Sequence, residues 1–301
     1  MTGANVWVLG GTGMVGQAVC AALKRLGHTS TATGSEVDIC DADAVRARAL
    51  ALGPSHIINC AAMTQVDLCE TEASRAMAVN GTGPGNVAQA ARAVGAQALH
   101  ISTDYVFDGA VEAPRLEHHP VGPTSQYGHS KLAGERAFLA ALDGYDAPHF
   151  VVRTSWVFGP GGANFVSTML RLMGERETVQ VVADQHGRPT YSQDLARAIL
   201  SLMGLEEGAT QACPSGVYHF ANGGTTTWHG LCVEVLSAAQ VLGHPVRCQR
   251  VEPVSTEAFP RPAKRPAYSI LGTEKFEQAA QWTPQPFVEA VAHYLSSVSS
   301  P

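Results

Sequence analysis

Short strand-like runs alternate with longer segments of helical periodicity through the first half of the chain. The runs are VWVLG (6–10), HTSTA (28–32), HIINCAA (56–62), QALHIST (97–103) and HFVVRTS (149–155). Helical patterns lie between them at residues 14–27, 41–52, 73–94 and 130–142. Mostly apolar strands separated by helices of this length are typical of parallel strands joined by helical crossovers. The sequence therefore predicts an α/β fold with a doubly wound parallel sheet for residues 1–154.

The pattern changes after residue 155. A loop-like stretch, FGPGGANF (158–165), is followed by a helical pattern at 166–175 and later by a proline-rich joint at 252–266. We expect residues 155–301 to form mainly a smaller, mixed substrate-binding domain. The chain is expected to return to the first domain around residues 190–221.

Composition narrows the class of protein. Of the 301 residues, 45% are hydrophobic and 15% are charged, and the formal net charge is −6. Without a block of Lys or Arg, binding to nucleic acid or to a membrane surface is not expected. The seven cysteines are odd in number and form no C-x-x-C pair, which favours a reducing compartment. No signal peptide or membrane span is recognisable, so a cytoplasmic protein is expected.

A glycine-rich stretch, GGTGMVG, directly follows the first predicted strand and opens the first helix. It places Gly10, Gly13 and Gly16 three residues apart. Glycines at such a turn let the backbone approach a pyrophosphate, which the free N–H groups of the helix N-terminus bind. The context predicts a dinucleotide site in a Rossmann domain.

Three further segments follow strands of the same sheet. The second strand ends in Thr33, with neither a carboxylate nor an arginine at that point, so the choice between NADPH and NADH stays open. Asp38 and Ile39 are expected to flank the adenine ring. The small residues of NCAAMT (59–64) would let a cofactor lie close to the backbone.

Hydroxyl groups and a cation gather where ligands bind in such sheets, beyond the carboxyl ends of the strands. Thr103 closes one strand, and Tyr127 and Lys131 are four residues apart on the next helix, hence on one face. A phenol has a pKa near 10, and a neighbouring ammonium group lowers it. We therefore expect Lys131 to tune Tyr127 as an acid for ketone reduction, and Thr103 to polarise the carbonyl.

Longer motifs identify a family. They are GGTGMVG, NCAAMTQVDLCE, HISTDYVFDG, YGHSKLAGE, VVRTSWVFG, ADQHGRPT, GVYHFANGGTTTWH and KRPAYSIL, and they span nearly the whole chain. With them the chain resembles the dTDP-4-dehydrorhamnose reductases, which are extended short-chain dehydrogenases/reductases. The resemblance implies NAD(P)H-dependent reduction of dTDP-4-dehydrorhamnose to dTDP-L-rhamnose. It also implies that Tyr127 is the proton donor and Lys131 its cofactor-binding neighbour.

Residue roles follow from the strand ends together with this resemblance. The cofactor residues are predicted to be Gly10, Thr12, Gly13, Met14, Val15, Gly16, Thr33, Asp38, Ile39, Ala61, Ala62, Met63, Thr64, Tyr127 and Lys131. The substrate residues are predicted to be Thr103, Asp104, Tyr105, Trp156, Asn164 and Arg188. Some family members bind magnesium through glutamates at a dimer contact. Ala18 and Gln193 stand at those positions here, so no metal site is predicted, although a homodimer remains compatible with the sequence.

Other functions share parts of this pattern. A 4-ketoreductase of another dTDP-deoxysugar would use the same residues. A non-catalytic regulatory subunit resembling the methionine adenosyltransferase beta subunit would retain the Tyr127–Lys131 spacing. An epimerase or dehydratase fits less well, because a dehydratase needs an acid and base pair beside the threonine, where this chain has Asp104 and Tyr105.

Overall fold

A computed structural model describes residues 3–209 and 211–298. The strands, in chain order, are β1 (Asn5–Leu9), β2 (Thr29–Thr33), β3 (His56–Asn59), β4 (Gln97–Thr103), β5 (His149–Thr154), β6 (Val157–Phe158), β7 (Thr178–Val182), β8 (His186–Gly187), β9 (Thr190–Tyr191), β10 (Gly216–His219), β11 (Thr226–Thr227) and β12 (Arg250–Val254). The helices are α1 (Met14–Arg25), α2 (Ala42–Leu52), α3 (Val66–Thr71), α4 (Ala73–Ala76), α5 (Gly83–Val94), α6 (Gln126–Ala141), α7 (Phe165–Glu175), α8 (Ser192–Leu202), α9 (Trp228–Val241), α10 (Glu274–Ala280) and α11 (Phe287–Ser297).

Six parallel strands form the central sheet, in the order β10-β5-β4-β3-β1-β2. Val8 of β1 lies opposite Ala32 on one side and Ile58 on the other, so β1 is the strand at which the chain changes direction across the sheet. The crevice beyond the carboxyl ends at such a switch point is where this class of fold binds ligands. The predicted doubly wound α/β fold is confirmed.

Successive side chains of the strands pack in two different apolar layers, because strand residues alternate between the faces of a sheet. Val6 and Val8 of β1 pack in the layer beneath α1 and α8. Trp7 and Leu9 face the opposite layer, which is closed by α2, α5 and α6.

The second half of the chain contributes to this sheet as well as to a separate core. Strand β10 pairs with β5, and α8 packs on α1. Helices α7, α9 and α11 and the parallel pair β7–β12 surround a second apolar core. The limits 1–154 and 155–301 remain a prediction about domain organisation.

The long helix predicted at 73–94 is divided in the structure. A π-helical turn, Met77–Thr82, separates α4 from α5. Within it, the Asn80 side chain accepts from the Met63 N–H at 2.8 Å and donates to the Met63 carbonyl at 2.9 Å. These two bonds tie the turn to the loop after β3, which accounts for the departure from a regular helix. Such turns are frequent at functional sites.

Helix α6 starts earlier than the pattern at 130–142 suggested. Ser125 caps it by accepting a hydrogen bond from the Gly128 N–H at 3.2 Å. Tyr127 and Lys131 therefore lie on one helix, one turn apart. In the described part of the chain, no helix is long and apolar enough to cross a membrane.

Candidate functional site

The glycine loop forms a cradle against the loop that follows β3. Gly10 has φ +69°, and a Cβ placed there would lie 2.6 Å from the Ala61 nitrogen. Only glycine fits this close approach. Gly13 caps α1 without a side-chain hydrogen bond, and the first turn of that helix contains no acidic residue. The free N–H groups and the positive end of the helix dipole thus fit the pyrophosphate of a dinucleotide.

The end of β2 differs from the expectation that no acid lies there. Thr33 is buried, and its hydroxyl accepts a hydrogen bond from the Trp7 indole at 2.9 Å, so it points into the protein. The carboxylate of Glu36 instead turns back and accepts from the Gly34 N–H at 2.8 Å. Glu36 and Thr12 are the side chains nearest to Gly34. The prediction was wrong because it considered only the residues directly after the strand.

Asp38 and Ile39 have different surroundings. Asp38 is exposed and accepts from the Cys40 N–H at 2.9 Å. Ile39 is 4% exposed and packs on Gly83, so its side chain belongs to the core. Only the backbone of Ile39 is left to meet a ligand.

The loop after β3 connects the glycine cradle to Tyr127. Ala61 lies against Gly10, and Met63 packs in a small apolar cluster with Tyr127 and Cys69. Ala62 and Thr64 flank Met63 in this loop. Asn80 fixes this loop at Met63 through two hydrogen bonds, and the loop links the glycine cradle to the surroundings of Tyr127.

Thr103 and Asp104 lie at the carboxyl end of β4 and are both buried. The Thr103 hydroxyl donates to Asp104 Oδ1 at 2.9 Å. Asp104 Oδ2 has no hydrogen-bond partner within 3.5 Å among the described residues. Burial raises the pKa of Asp104 to about 6. Hydrogen bonds with the Ser269 and Thr103 side chains oppose that rise in pKa.

Tyr127 and Lys131 face this strand end from α6. Burial raises the pKa of Tyr127, and a hydrogen bond with the Thr103 hydroxyl opposes that rise. Lys131 is 2% exposed, and its Nζ donates to the Ile101 carbonyl at 2.6 Å. Lys131 is not among the main influences on the pKa of Tyr127. The expected lowering of that pKa by the lysine is therefore not found here, because the amine points at the strand backbone.

Tyr105 connects the strand end to a later segment of the chain. Its ring packs edge-on against Tyr127, with centroids 5.3 Å apart. Its hydroxyl accepts from Arg265 Nη1 at 3.0 Å, and Arg265 Nη2 contacts Asp67 Oδ2 at 3.1 Å. Arg265 thus ties the proline-rich segment to two elements of the first domain.

A cavity of about 1280 Å³ lies next to Arg265, between α7, β7, β12 and the segment 256–265. Its walls carry aromatic rings and basic groups. The residues are Phe165, Trp228, Phe259, Arg176, Arg261, Lys264 and Arg265. Tyr127 and the glycine loop do not line it, and Arg265 with Tyr105 lies between the two.

Trp156 supports the aromatic wall of this cavity. Its ring stacks on Trp228, with centroids 3.7 Å apart and planes at 10°. Its φ is 48°, a left-handed conformation that side chains of this size rarely adopt. Strain of about 1 to 3 kcal/mol is typical of such residues and is most often found near functional sites.

Known proteins resemble the chain over nearly its full length. Residues 4–300 match the family described as RmlD substrate binding domain. The dTDP-4-dehydrorhamnose reductase of Streptomyces griseus is 44% identical over 273 residues, which are 90% of this chain and 86% of that protein. The corresponding protein of Escherichia coli (strain K12) is 38% identical over 278 residues, 91% of each chain.

A solved structure of the same kind of protein has a similar fold. The crystal structure of dTDP-4-dehydrorhamnose reductase from Bacillus anthracis str. Ames in complex with NADP has a TM-score of 0.88 at 34% identity, covering 98% of this chain and 100% of that one. The chain belongs to the dTDP-4-dehydrorhamnose reductase family. The prediction of this family, and with it of an NAD(P)H-dependent oxidoreductase, is confirmed.

Two residues predicted to bind substrate have structural roles in this dTDP-4-dehydrorhamnose reductase family member. The Asn164 side chain caps α7, accepting from the Ser167 N–H at 3.0 Å and donating to the Gly159 and Gly162 carbonyls. Arg188 is held by the Asn222 carbonyl at 3.0 Å and the Leu271 carbonyl at 2.8 Å. These bonds give both side chains a structural role, and their part in substrate binding remains a prediction.

Sequence reasoning missed several polar residues of the site. His100 and Asn59 lie in apolar strands and matched no chemical motif. In the structure, His100 lies beside Lys131 Nζ, and Asn59 binds the other ring nitrogen of His100. Glu135, one turn beyond Lys131, binds Arg153 of β5 through two hydrogen bonds. The i, i+4 spacing of Lys131 and Glu135 on α6 was the one available signal. Among the described residues, no group of three or more His, Cys, Asp or Glu side chains could hold a metal ion.

Proposed function

We propose that the protein reduces the 4-keto group of a dTDP-4-dehydro-6-deoxyhexose, with dTDP-4-dehydrorhamnose as the first candidate and dTDP-L-rhamnose as the product. The observation that carries the proposal is the meeting of Thr103, Tyr127 and Lys131 at the carboxyl end of β4, next to the glycine cradle. Membership in the family supports the substrate class.

The residues of the site divide the reaction between them. NADH or NADPH, when bound, supplies the hydride that adds to C4 of the sugar. Tyr127 donates its phenolic proton to the carbonyl oxygen, and solvent returns a proton to the phenolate afterwards. Thr103 hydrogen-bonds the same oxygen as negative charge develops on it. Lys131 is proposed to turn from Ile101 to the nicotinamide ribose, where its charge stabilises the phenolate.

The cavity suits the nucleotide end of the substrate. Trp228 and Phe165 offer aromatic faces for a thymine ring. Arg261, Lys264 and Arg265 offer cations for the diphosphate. Asp104 Oδ2 has no hydrogen-bond partner within 3.5 Å among the described residues, so we propose it as an acceptor for a sugar hydroxyl.

Glu36 bears on the choice of cofactor. Its carboxylate lies at the end of β2, beside Gly34 and Thr12 of the glycine loop. A carboxylate at this point accepts from the ribose 2′-hydroxyl of NADH and repels the 2′-phosphate of NADPH. We therefore propose that the protein binds NADH more tightly than NADPH.

The direct test follows NADH and NADPH oxidation by absorbance, using enzymatically generated dTDP-4-dehydrorhamnose. Rapid oxidation supports the function, and Tyr127→Phe should lower turnover by about a thousandfold with cofactor affinity retained. Tyr145→Phe is the control, because the Tyr145 hydroxyl bonds the Ala96 carbonyl at 2.9 Å, away from the site. A Tyr127→Phe protein with normal turnover would refute the proton-donor assignment.

A negative result would also be informative. If the cofactor binds but no oxidation occurs, other dTDP-4-keto-6-deoxyhexoses are the next substrates to assay. Absence of turnover with all of them would favour a binding protein over a reductase.

A further inference from the structure

A chain of hydrogen bonds runs from the backbone after β3 to Lys131. The Ala61 N–H donates to Asn59 Oδ1 at 3.1 Å, and Asn59 Nδ2 lies 3.1 Å from His100 Nδ1. His100 Nε2 lies 3.4 Å from Lys131 Nζ. Asn59 and His100 are fully buried and Lys131 is 2% exposed, so water does not compete for these contacts.

The backbone fixes the direction of every bond in this chain. Because the Ala61 N–H can only donate, the Asn59 oxygen must face it and the Asn59 amide nitrogen must face His100. His100 Nδ1 is then an acceptor. Burial and the charge of Lys131 hold the pKa of His100 well below its ordinary value, so the ring is neutral and its one proton is on Nε2.

We propose that His100 is a positioning residue for Lys131: its Nε2–H group faces Nζ as a donor, favours the amine over the ammonium form and holds the side chain against the Ile101 carbonyl. An amine accepts this hydrogen bond, whereas an ammonium group has no lone pair and would face a second donor. The proposed function is needed only to give this pairing a role in catalysis.

Other groups around Lys131 act in known directions. Burial lowers the pKa of Lys131 to about 8, and the charge of Glu135 opposes that effect. The Glu135 carboxylate is shared with Arg153, at 2.8 and 2.7 Å. Burial raises the pKa of the Cys60 thiol to about 12, so this thiol stays neutral. Tyr127 lies one turn away from Lys131 on α6. Among the described residues, His100 is thus the one neighbour that disfavours the ammonium form through a hydrogen bond.

The test is an NMR titration of the lysine ε-carbons in the cofactor-free protein. The chain has only four lysines, and Lys131→Met assigns the signal of interest. His100→Gln offers a carbonyl oxygen to Nζ without adding a charge. This change should move the Lys131 midpoint upward from about 8 by about one pH unit. His56→Gln is the matched control, since this buried imidazole bonds Ser55 at the far end of β3.

Two results would overturn the proposal. One is a Lys131 midpoint within about 0.3 pH unit of the wild-type value in the folded His100→Gln protein. The other is an equal shift in His56→Gln, which would indicate a general loosening of the fold. In the reductase assay, the alkaline limb of kcat/KM for the cofactor, which reports the cofactor-free enzyme, should move upward in step with the midpoint. A shifted midpoint without reductase activity would retain the pairing and reject the proposed function.

Discussion

Two buried cations, Lys131 of α6 and Arg153 of β5, each have a histidine beside them. Arg153 approaches His219 Nε2 at 3.4 Å, as Lys131 approaches His100 Nε2 at the same distance. The histidines differ at their other nitrogen. His219 Nδ1 lies 3.0 Å from the Arg115 carbonyl and must carry the proton, so its Nε2 accepts from the cation. At His100 the backbone group at the end of the network is the Ala61 N–H, which acts through Asn59. His100 Nδ1 is therefore an acceptor, and its Nε2 donates toward the cation.

The difference separates a structural cation, Arg153, from Lys131, for which we propose a catalytic role. Arg153 has a bidentate carboxylate partner in Glu135 and an accepting histidine, so its charge is satisfied. No carboxylate binds Lys131 directly within the described residues, and the neighbouring imidazole opposes its charge. Perturbed proton affinity at a buried group of this kind is a mark of functional sites. The backbone group at the end of each network sets the direction of the histidine hydrogen bond, and the Glu135 carboxylate sets the remaining difference.

The largest expected effect follows from removing the cation of Lys131. Lys131→Met should lower turnover by about a thousandfold, because the phenolate of Tyr127 loses its counter-charge. The free energy of unfolding should not fall, since a buried lysine without a carboxylate gives way to an apolar side chain of similar length. Turnover and thermal unfolding are measured on the same preparations.

Lys24→Met, at an exposed position in the last turn of α1, is the control for this change. It should alter neither quantity. A Lys131→Met protein that retains more than about a tenth of the turnover would remove Lys131 from the catalytic group.

Removing the partner of the structural cation should have the opposite profile. Glu135→Gln leaves Arg153 buried without a counter-charge and is expected to lower the free energy of unfolding by about 3 kcal/mol, measured by urea denaturation. Glu175→Gln is the control. Its pair with Arg171 has the same 2.7 Å distance as the closer Glu135–Arg153 contact, but it is exposed, so the loss should stay below about 0.5 kcal/mol. Equal losses in the two variants would contradict the structural assignment of Arg153.

The contrast between these cations also shows what could be predicted from the sequence. The parallel sheet, the glycine cradle and the Tyr127–Lys131 spacing follow from local periodicity and motif context. The direction of the Asn59–His100 network does not, because it depends on which backbone group lies at its end in three dimensions. The bonds of Arg188 to the carbonyl groups of Asn222 and Leu271 could not be predicted either, because these residues are distant in the sequence.

Among the carboxyl groups, Asp104 is the counterpart of Lys131, since it too is buried and incompletely paired. Its pKa of about 6 lies above the ordinary 3.8, so the ionised form is destabilised in the folded protein. Stability from this group is therefore present at low pH and is lost as the pH rises between those two values. Asp104→Asn should raise the free energy of unfolding at pH 8 by about 2 kcal/mol, less than the full difference because its amide group also lacks a partner.

The advantage of Asp104→Asn should disappear below about pH 3, where the wild-type group is mostly neutral in both the folded and unfolded states. Thermal unfolding of both proteins across this range measures it. A constant difference at all pH values would indicate a packing effect instead of the removal of a buried charge.

Glu36 is charged like Lys131 and Arg153 but is exposed. We therefore expect the smallest change in a measured property from its substitution. Glu36→Gln keeps the hydrogen bond from the Gly34 N–H and removes the repulsion of a 2′-phosphate. The affinity for NADPH should rise about fivefold, because a single exposed charge is well screened by water. The affinity for NADH should change less, since the amide oxygen still accepts from a ribose hydroxyl.

Dissociation constants of both cofactors, measured by calorimetry on the substrate-free protein, separate this effect from turnover. Raising the salt concentration should reduce the gap between NADH and NADPH in the wild-type protein and leave it nearly unchanged in Glu36→Gln, because salt screens only the charged contact. If the two proteins respond alike, the gap does not arise from Glu36, and the end of β2 does not select the cofactor.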